Sequence, residues 1–195
     1  MKKWLPLIIV GIVVLWGYST FKGFNNSAVI YQEDAKTAWS NVESSYQRRA
    51  DLIPNLVNTV KGYADHESET LEAVIKARAA ATSTKIDASN LTEENMATYQ
   101  KAQQGLSGAL GRLMVVAEKY PDLKANRNFL ELQSQLEGTE NRINVERNRF
   151  NGLVNNYNKH IKVFPNSFFA GMLNFEEMSR YRSAEGSEKA PEVKF

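Results

Sequence analysis

The stretch Phe129-Leu-Glu-Leu-Gln-Ser-Gln-Leu136-Glu-Gly-Thr-Glu-Asn-Arg-Ile143-Asn-Val-Glu-Arg-Asn-Arg-Phe150-Asn-Gly-Leu-Val-Asn-Asn-Tyr157-Asn-Lys-His-Ile-Lys-Val-Phe164 decides the fold. Its residues Phe129, Leu136, Ile143, Phe150, Tyr157 and Phe164 stand seven apart without exception, with Leu132 and Leu153 at intervening positions of the same seam. Seven residues are close to two helical turns, so these side chains form one apolar stripe with coiled-coil spacing. The spacing predicts a long helix from about Asn126 to Val163. A helix with one apolar stripe cannot bury it alone, and partner helices must exist elsewhere in the chain.

They are found upstream. Trp39, Val42, Tyr46, Arg49, Ile53, Leu56, Val60 and Tyr63 alternate three and four apart and predict a first helix from about Ser27 to Ala64. A second helix is expected to begin with Asp65 as N-cap and to run through Leu71, Val74 and Arg78 into the Ala-rich stretch ending at Ala81. The polar stretch from Thr82 to Thr92 reads as a loop. Thr92 then caps a third helix bearing Met96, Tyr99, Gln103, Leu106, Leu110, Leu113, Ala117 and Tyr120, which Pro121 stops. The short connections at 62 to 66 and 120 to 126 make neighbours antiparallel. The expected fold is therefore all-α, an antiparallel four-helix bundle with long first and last helices.

Before the bundle, Trp4 to Phe21 carries no charged side chain, and its 18 residues reach roughly 27 Å, close to a hydrocarbon core. The bulky residues Trp16-Gly-Tyr-Ser-Thr-Phe21 occupy the place where a small-residue cleavage site would sit, so the segment reads as a retained transmembrane anchor rather than a signal peptide. The organisation expected is a flank at 1–3, an anchor at 4–21, a helical bundle with a short apolar C-terminal segment at 22–182, and a tail at 183–195. Lys2 and Lys3 precede the span and only Lys22 follows it closely, which favours a cytoplasmic N-terminus and an extracytoplasmic bundle in a cell membrane.

Setting aside Lys2 and Lys3 leaves 22 basic against 22 acidic residues, interspersed along the chain. Nucleic acid is excluded as a partner, because phosphate neutralisation needs a basic excess on one face. Chemistry is also poorly provided for. There is no cysteine and there are two histidines, His66 and His160, so thiol nucleophiles and the usual zinc sets are missing. Gly105, Gly108 and Gly111 lie inside the third helix, where their spacing suits close helix approach rather than phosphate binding. No catalytic residue, cofactor or metal is expected.

Two features remain. Arg49 occupies a seam position, and Pro54 interrupts the first helix, freeing the carbonyl of Ala50 and demanding a donor from elsewhere. A buried Arg49 requires a carboxylate, and Glu140 or Glu146 of the last long helix stands in the right stretch to complete a structural polar core. The Asn-rich run Glu137 to Asn151 is poor in helix propensity and implies either interhelical hydrogen bonds or a polar face for a partner. Beyond it, the apolar stretch from Phe164 to Phe175, with Phe168, Phe169, Met172, Leu173 and Phe175, needs cover from the bundle, a second copy or the bilayer. Pro191 to Phe195 alternates as an extended strand would.

The motifs Arg48-Arg-Ala-Asp-Leu-Ile-Pro-Asn-Leu-Val57, Val60-Lys-Gly-Tyr-Ala-Asp-His-Glu67, Glu118-Lys-Tyr-Pro-Asp-Leu-Lys-Ala-Asn126, Thr139-Glu-Asn-Arg-Ile143, Arg149-Phe-Asn151, Tyr157-Asn158 and Phe164-Pro165 resemble the LemA family of bacterial membrane proteins. The resemblance implies an N-terminal transmembrane helix and a four-helix bundle, and it supplies no catalytic residues. The function expected is that of a membrane-anchored, non-enzymatic scaffold that self-associates at the membrane surface as a homo-oligomer. The alternative is a sensory or adaptor ectodomain that binds a protein partner through the polar face of the last long helix.

Overall fold

A computed structural model describes residues 4–182, and the alternating tail at Pro191 to Phe195 lies outside them. The described residues form six helices: α1 (Leu5–Lys61), α2 (Ser68–Ser83), α3 (Glu93–Glu118), α4 (Pro121–Lys124), α5 (Arg127–Lys162) and α6 (Asn166–Met172). The fold is all-α, with one apolar N-terminal helical segment and a packed helical bundle. The count of four is corrected to six, because two short stretches, Pro121–Lys124 and Asn166–Met172, coil into short helices of their own. α4 forms where Pro121 opens a new helix at its first position instead of only ending α3, and Leu123 fills the core beneath it.

Membrane span and first bundle helix are one element. The short polar connection Lys22 to Ser27 leaves little slack and predicts a nearly continuous rod, and α1 runs without interruption through Gly23, Asn25 and Asn26. Those residues are weak helix formers. What overrides them is burial of Phe24 and Ala28, which continue the seam below Ala35 and Trp39 at helical spacing.

The chain divides into two compact units. One joins the described residues up to Arg49 with Asp87–Ser89 and Glu137–Met178. In it α1 and α5 run antiparallel, since Phe24 meets His160, Trp39 meets Phe150 and Arg49 meets Glu140. The seam residues Trp39, Val42, Ile143, Phe150 and Tyr157 are fully buried. Burial of a large apolar side chain contributes about 1.5–3 kcal/mol, so this stripe alone makes a strong helix pair. Phe164 departs from the stripe. α5 ends at Lys162, before Pro165, and Phe164 is 88% exposed, off the helix that would have turned it inward.

The other unit joins Ala50–Ile86, Asn90–Leu136 and the described residues from Ser179. Here four long helices contribute to one core, with Ile53, Leu56 and Val60 of α1, Leu71 and Val74 of α2, Leu106 and Leu113 of α3, and Phe129 and Leu136 of α5. Tyr120 Oη donates to Glu67 Oε1 at 3.3 Å and Gln103 Nε2 donates to the Ala81 carbonyl at 3.2 Å, a register that runs α2 and α3 antiparallel.

Two helix starts are capped by side chains. Asn95 N donates to Thr92 Oγ1 at 3.3 Å, and Phe129 N donates to Asn126 Oδ1 at 3.1 Å. Asp65, however, does not cap α2. Ala64 is buried and its amide still bonds back to Val60, so the chain turns through Asp65 and His66 and α2 starts only at Ser68. Gly105, Gly108 and Gly111 are also corrected: they face outward, and a Cβ at any of them would meet nothing within 4 Å, so they serve no close helix approach.

Candidate functional site

Three features of the described residues distinguish this molecule from a plain helix bundle. The first is polar and lies within the α1–α5 pair. Arg49 comes from a seam position of α1, its side chain only 4% exposed, and its Nη1 donates to Glu140 Oε2 at 2.9 Å. The guanidinium carbon also sits 4.9 Å from the ring centre of Tyr46, a cation–π distance. Glu140 is 46% exposed, so the pair joins a buried cation to a half-solvated anion. Glu146, the other candidate partner, lies six residues or about 9 Å farther along α5. Its Oε2 is buried without a hydrogen-bond partner among the described residues.

A matching polar detail lies in the second unit. Pro54 has no N–H for the Ala50 carbonyl, and Arg78 Nε of α2 donates to that oxygen at 2.8 Å. The freed acceptor at the proline is thus satisfied from the neighbouring helix. An open groove of about 440 Å³ also lies in this unit, lined by Asn55, Asn58 and Thr59 of α1 and by Asn128, Glu131 and Gln135 of α5. It presents amides and one carboxylate, with no nucleophile–base pair.

The second feature is aromatic and lies where α1 leaves its apolar segment. Phe24 stacks on the His160 ring of α5, with centroids 5.3 Å apart and planes 9° from parallel. Phe169 of α6 packs against Phe21 and Phe24, each at 5.7 Å, and Phe175 meets Phe24 edge-on at 5.7 Å. Asn166 Nδ2 donates to the His160 carbonyl at 3.1 Å, which ties the start of α6 to the end of α5. The chain after α6 is held too, because Tyr157 Oη donates to the Glu176 carbonyl at 2.9 Å and Asn158 exchanges hydrogen bonds with Met178. Desolvation, and secondarily the nearby Glu176 charge, push the Tyr157 phenol above its ordinary pKa, keeping it a donor.

Of the apolar residues singled out in the sequence, Phe169 and Phe175 pack on Phe24, whereas Phe168 and Met172 are 69% and 56% exposed and Leu173 is exposed at its edge. Sequence reasoning missed Phe21, Phe24 and His160 as members of this cluster. The available signal was spacing: positions 39, 35, 31 and 28 carry the α1 stripe back at helical intervals to position 24, three residues before the start at Ser27 that the polar connection suggests.

The third feature is the Asn-rich run of α5. Asn141, Arg142, Asn144, Val145, Asn148 and Arg149 all lie on the exposed side of the helix. Between the two readings of that run, this favours an outward polar face over interhelical bonding. Among the described residues no group of three His, Cys, Asp or Glu could hold a metal ion.

Known proteins are similar to this chain over most of its length. Protein LemA of Metamycoplasma hominis is 23% identical, covering 86% of this chain and 73% of that protein. Magnetosome protein MamQ of Magnetospirillum gryphiswaldense is 27% identical and magnetosome protein MamQ 2 of Paramagnetospirillum magneticum 26%, each over 80% of this chain. The chain spans 64% of the length of these magnetosome proteins, less than two thirds. The apolar segment of α1 is long and apolar enough to cross a membrane once. The LemA family model matches residues 38–195, from the α1 seam through the last residue, and on that match the chain belongs to the LemA family, as a single-pass helical membrane protein.

Proposed function

We propose that this protein is a scaffold whose anchored copies self-associate at the membrane surface. The observation that carries the reading is α1 itself, in which the membrane-spanning segment and the first helix of the α1–α5 pair are continuous. A domain joined to its anchor without a hinge is held at a fixed height and rotation, which suits the presentation of a surface to neighbours in the same membrane. The surface offered is the exposed face of α5 around Val145, flanked by Asn141, Asn144 and Asn148, groups that hydrogen-bond without regard to charge. In this reading Arg49 and Glu140 fix the register of the α1–α5 pair and hold that face in place. The bundle is extracytoplasmic, by the excess of Lys2 and Lys3 over Lys22.

The same exposed face supports a second reading, an adaptor ectodomain that recruits a different protein. Light scattering of the full-length protein in mild detergent separates the two. Self-association predicts a mass above the monomer that falls on dilution and on Val145→Glu. A monomer at every concentration, together with stoichiometric cross-linking to another protein in native membranes, would reject self-association in favour of the adaptor.

A further inference from the structure

The exposed half of the α6 segment sits at a specific height relative to the span. A hydrocarbon core of about 30 Å takes about 20 helical residues. Counted from Leu5, at the start of α1, that length ends near Phe24. Phe169 touches both Phe21 and Phe24, so α6 is pinned beside the point where α1 leaves the hydrocarbon. The interfacial layer outside the core is a further ~5–7 Å thick on each side, comparable to one ring-to-ring contact. Phe168 packs at 5.7 Å on Phe169 and so stays within one ring contact of that point.

The faces of α6 are divided accordingly. Phe169 and Ala170 turn inward, while Phe168 and Met172, four residues apart and so on one side of the helix, turn outward with Leu173 beside them and Phe164 just before. In water such a group of large apolar side chains is unfavourable. Aromatic residues at this height are favourable in a headgroup layer, where an apolar body meets acyl chains and the polar flank stays wet. Lys22, exposed and next in the chain after Phe21, has a stem long enough to carry its charge outward.

From this placement we propose that α6 is a second membrane contact, a lip whose Phe164, Phe168 and Met172 side chains insert into the lipid headgroup layer beside the span. The proposal rests on the membrane-anchored reading of α1. It leaves the α5 face as the surface for protein contacts. It also gives α6 a mechanical role, since with α1 and α6 both seated, α1 is resisted from rotating about its own axis.

The native chain has no cysteine, so single-cysteine variants can be spin-labelled without removing anything. Four full-length proteins are reconstituted into vesicles of phosphatidylcholine and phosphatidylglycerol: Phe168→Cys and Met172→Cys as probes, Val13→Cys as lipid reference and Lys101→Cys of α3, which is not on the α5 face, as water reference. All four native side chains are exposed, so labelling leaves packing intact. Collision with oxygen against a water-soluble nickel chelate reads depth. The expected result is an oxygen-to-nickel ratio at 168 and 172 several-fold above that at 101, between it and the value at 13, and unchanged when protein is diluted in lipid. Equal ratios at 168, 172 and 101, with a lipid-like 13, would overturn the lip and leave the anchor standing. Shielding from both reagents with dipolar broadening that disappears on dilution would overturn it by showing a second copy on this face. A water-like value at 13 would reject the anchor itself, and the lip with it.

Discussion

Replacing Arg78 tests whether the proline in α1 is tolerated because a neighbouring helix supplies its missing donor. Pro54 leaves the carbonyl of Ala50 without its intrahelical N–H, and Ala50 is buried, so water cannot substitute. Arg78 Nε, at 2.8 Å, is the observed donor. Arg78→Met keeps a straight apolar stem and deletes the donor, leaving a buried carbonyl unsatisfied at a cost of about 1–3 kcal/mol. Pro54→Ala puts an N–H back within reach of the same oxygen. In that background Arg78→Met should cost no more than about 0.5 kcal/mol, a coupling of roughly 1–2 kcal/mol between two residues on different helices. Urea unfolding of the four full-length proteins in detergent micelles, followed by far-ultraviolet circular dichroism, measures all corners of the cycle. The membrane-spanning part of α1 contributes a constant helical baseline. An Arg78→Met cost that is the same in both backgrounds would refute the reasoning, because the guanidinium would then be stabilising the structure through something other than the proline's orphaned carbonyl.

Two further outcomes follow from individual contacts. Arg49→Ala removes a buried cation that pairs with Glu140 and packs on Tyr46, and should destabilise by about 1–3 kcal/mol, below the full value for a buried pair because Glu140 is half-solvated; Glu140→Gln should cost less, and an unchanged Arg49→Ala midpoint in the same urea assay would contradict the assignment. In the Asp87–Ser89 turn, the Ser89 hydroxyl at 2.7 Å and then its amide at 2.8 Å, both donating to Asp87 Oδ1, hold the Asp87 carboxyl below its ordinary pKa. A depressed carboxyl contributes above its unfolded value, near ~3.9, and the contribution is lost as pH falls through the lower folded value. Carbon-detected nuclear magnetic resonance should therefore place the Asp87 midpoint below that of a free aspartate, and Ser89→Ala should raise it.

Much of the architecture was legible in the linear chain because helical periodicity survives without tertiary information. The seven-residue spacing of Phe129 to Tyr157 reports the buried stripe of α5 directly, and the three–four alternation from Trp39 to Val60 reports that of α1. Thr92 was readable as a cap because its hydroxyl acts on an amide three residues away. Phe164 was misread because a period says nothing about where its helix stops, and α5 stops two residues earlier. The candidate site was legible in part: Arg49 announced its need for a carboxylate, and the Phe168 to Phe175 segment announced its need for cover.

What the sequence by itself determined is the helical content, the buried stripes, the apolar segment able to span a membrane and the shortage of catalytic groups, all set by residue type and local spacing. Tertiary structure alone decided the rest. It chose Glu140 over Glu146, because the antiparallel register of α1 and α5 sets which carboxylate comes opposite Arg49. It brought Arg78 to the Ala50 carbonyl, 28 residues away in the chain. It carried α1 through Gly23 to Asn26 as helix, because burial of Phe24 against His160 and Phe169 outweighs the weak local propensity of those residues. And it divided the α6 segment into a buried half and an exposed half, since only the packed fold shows which aromatic rings have already found their partners.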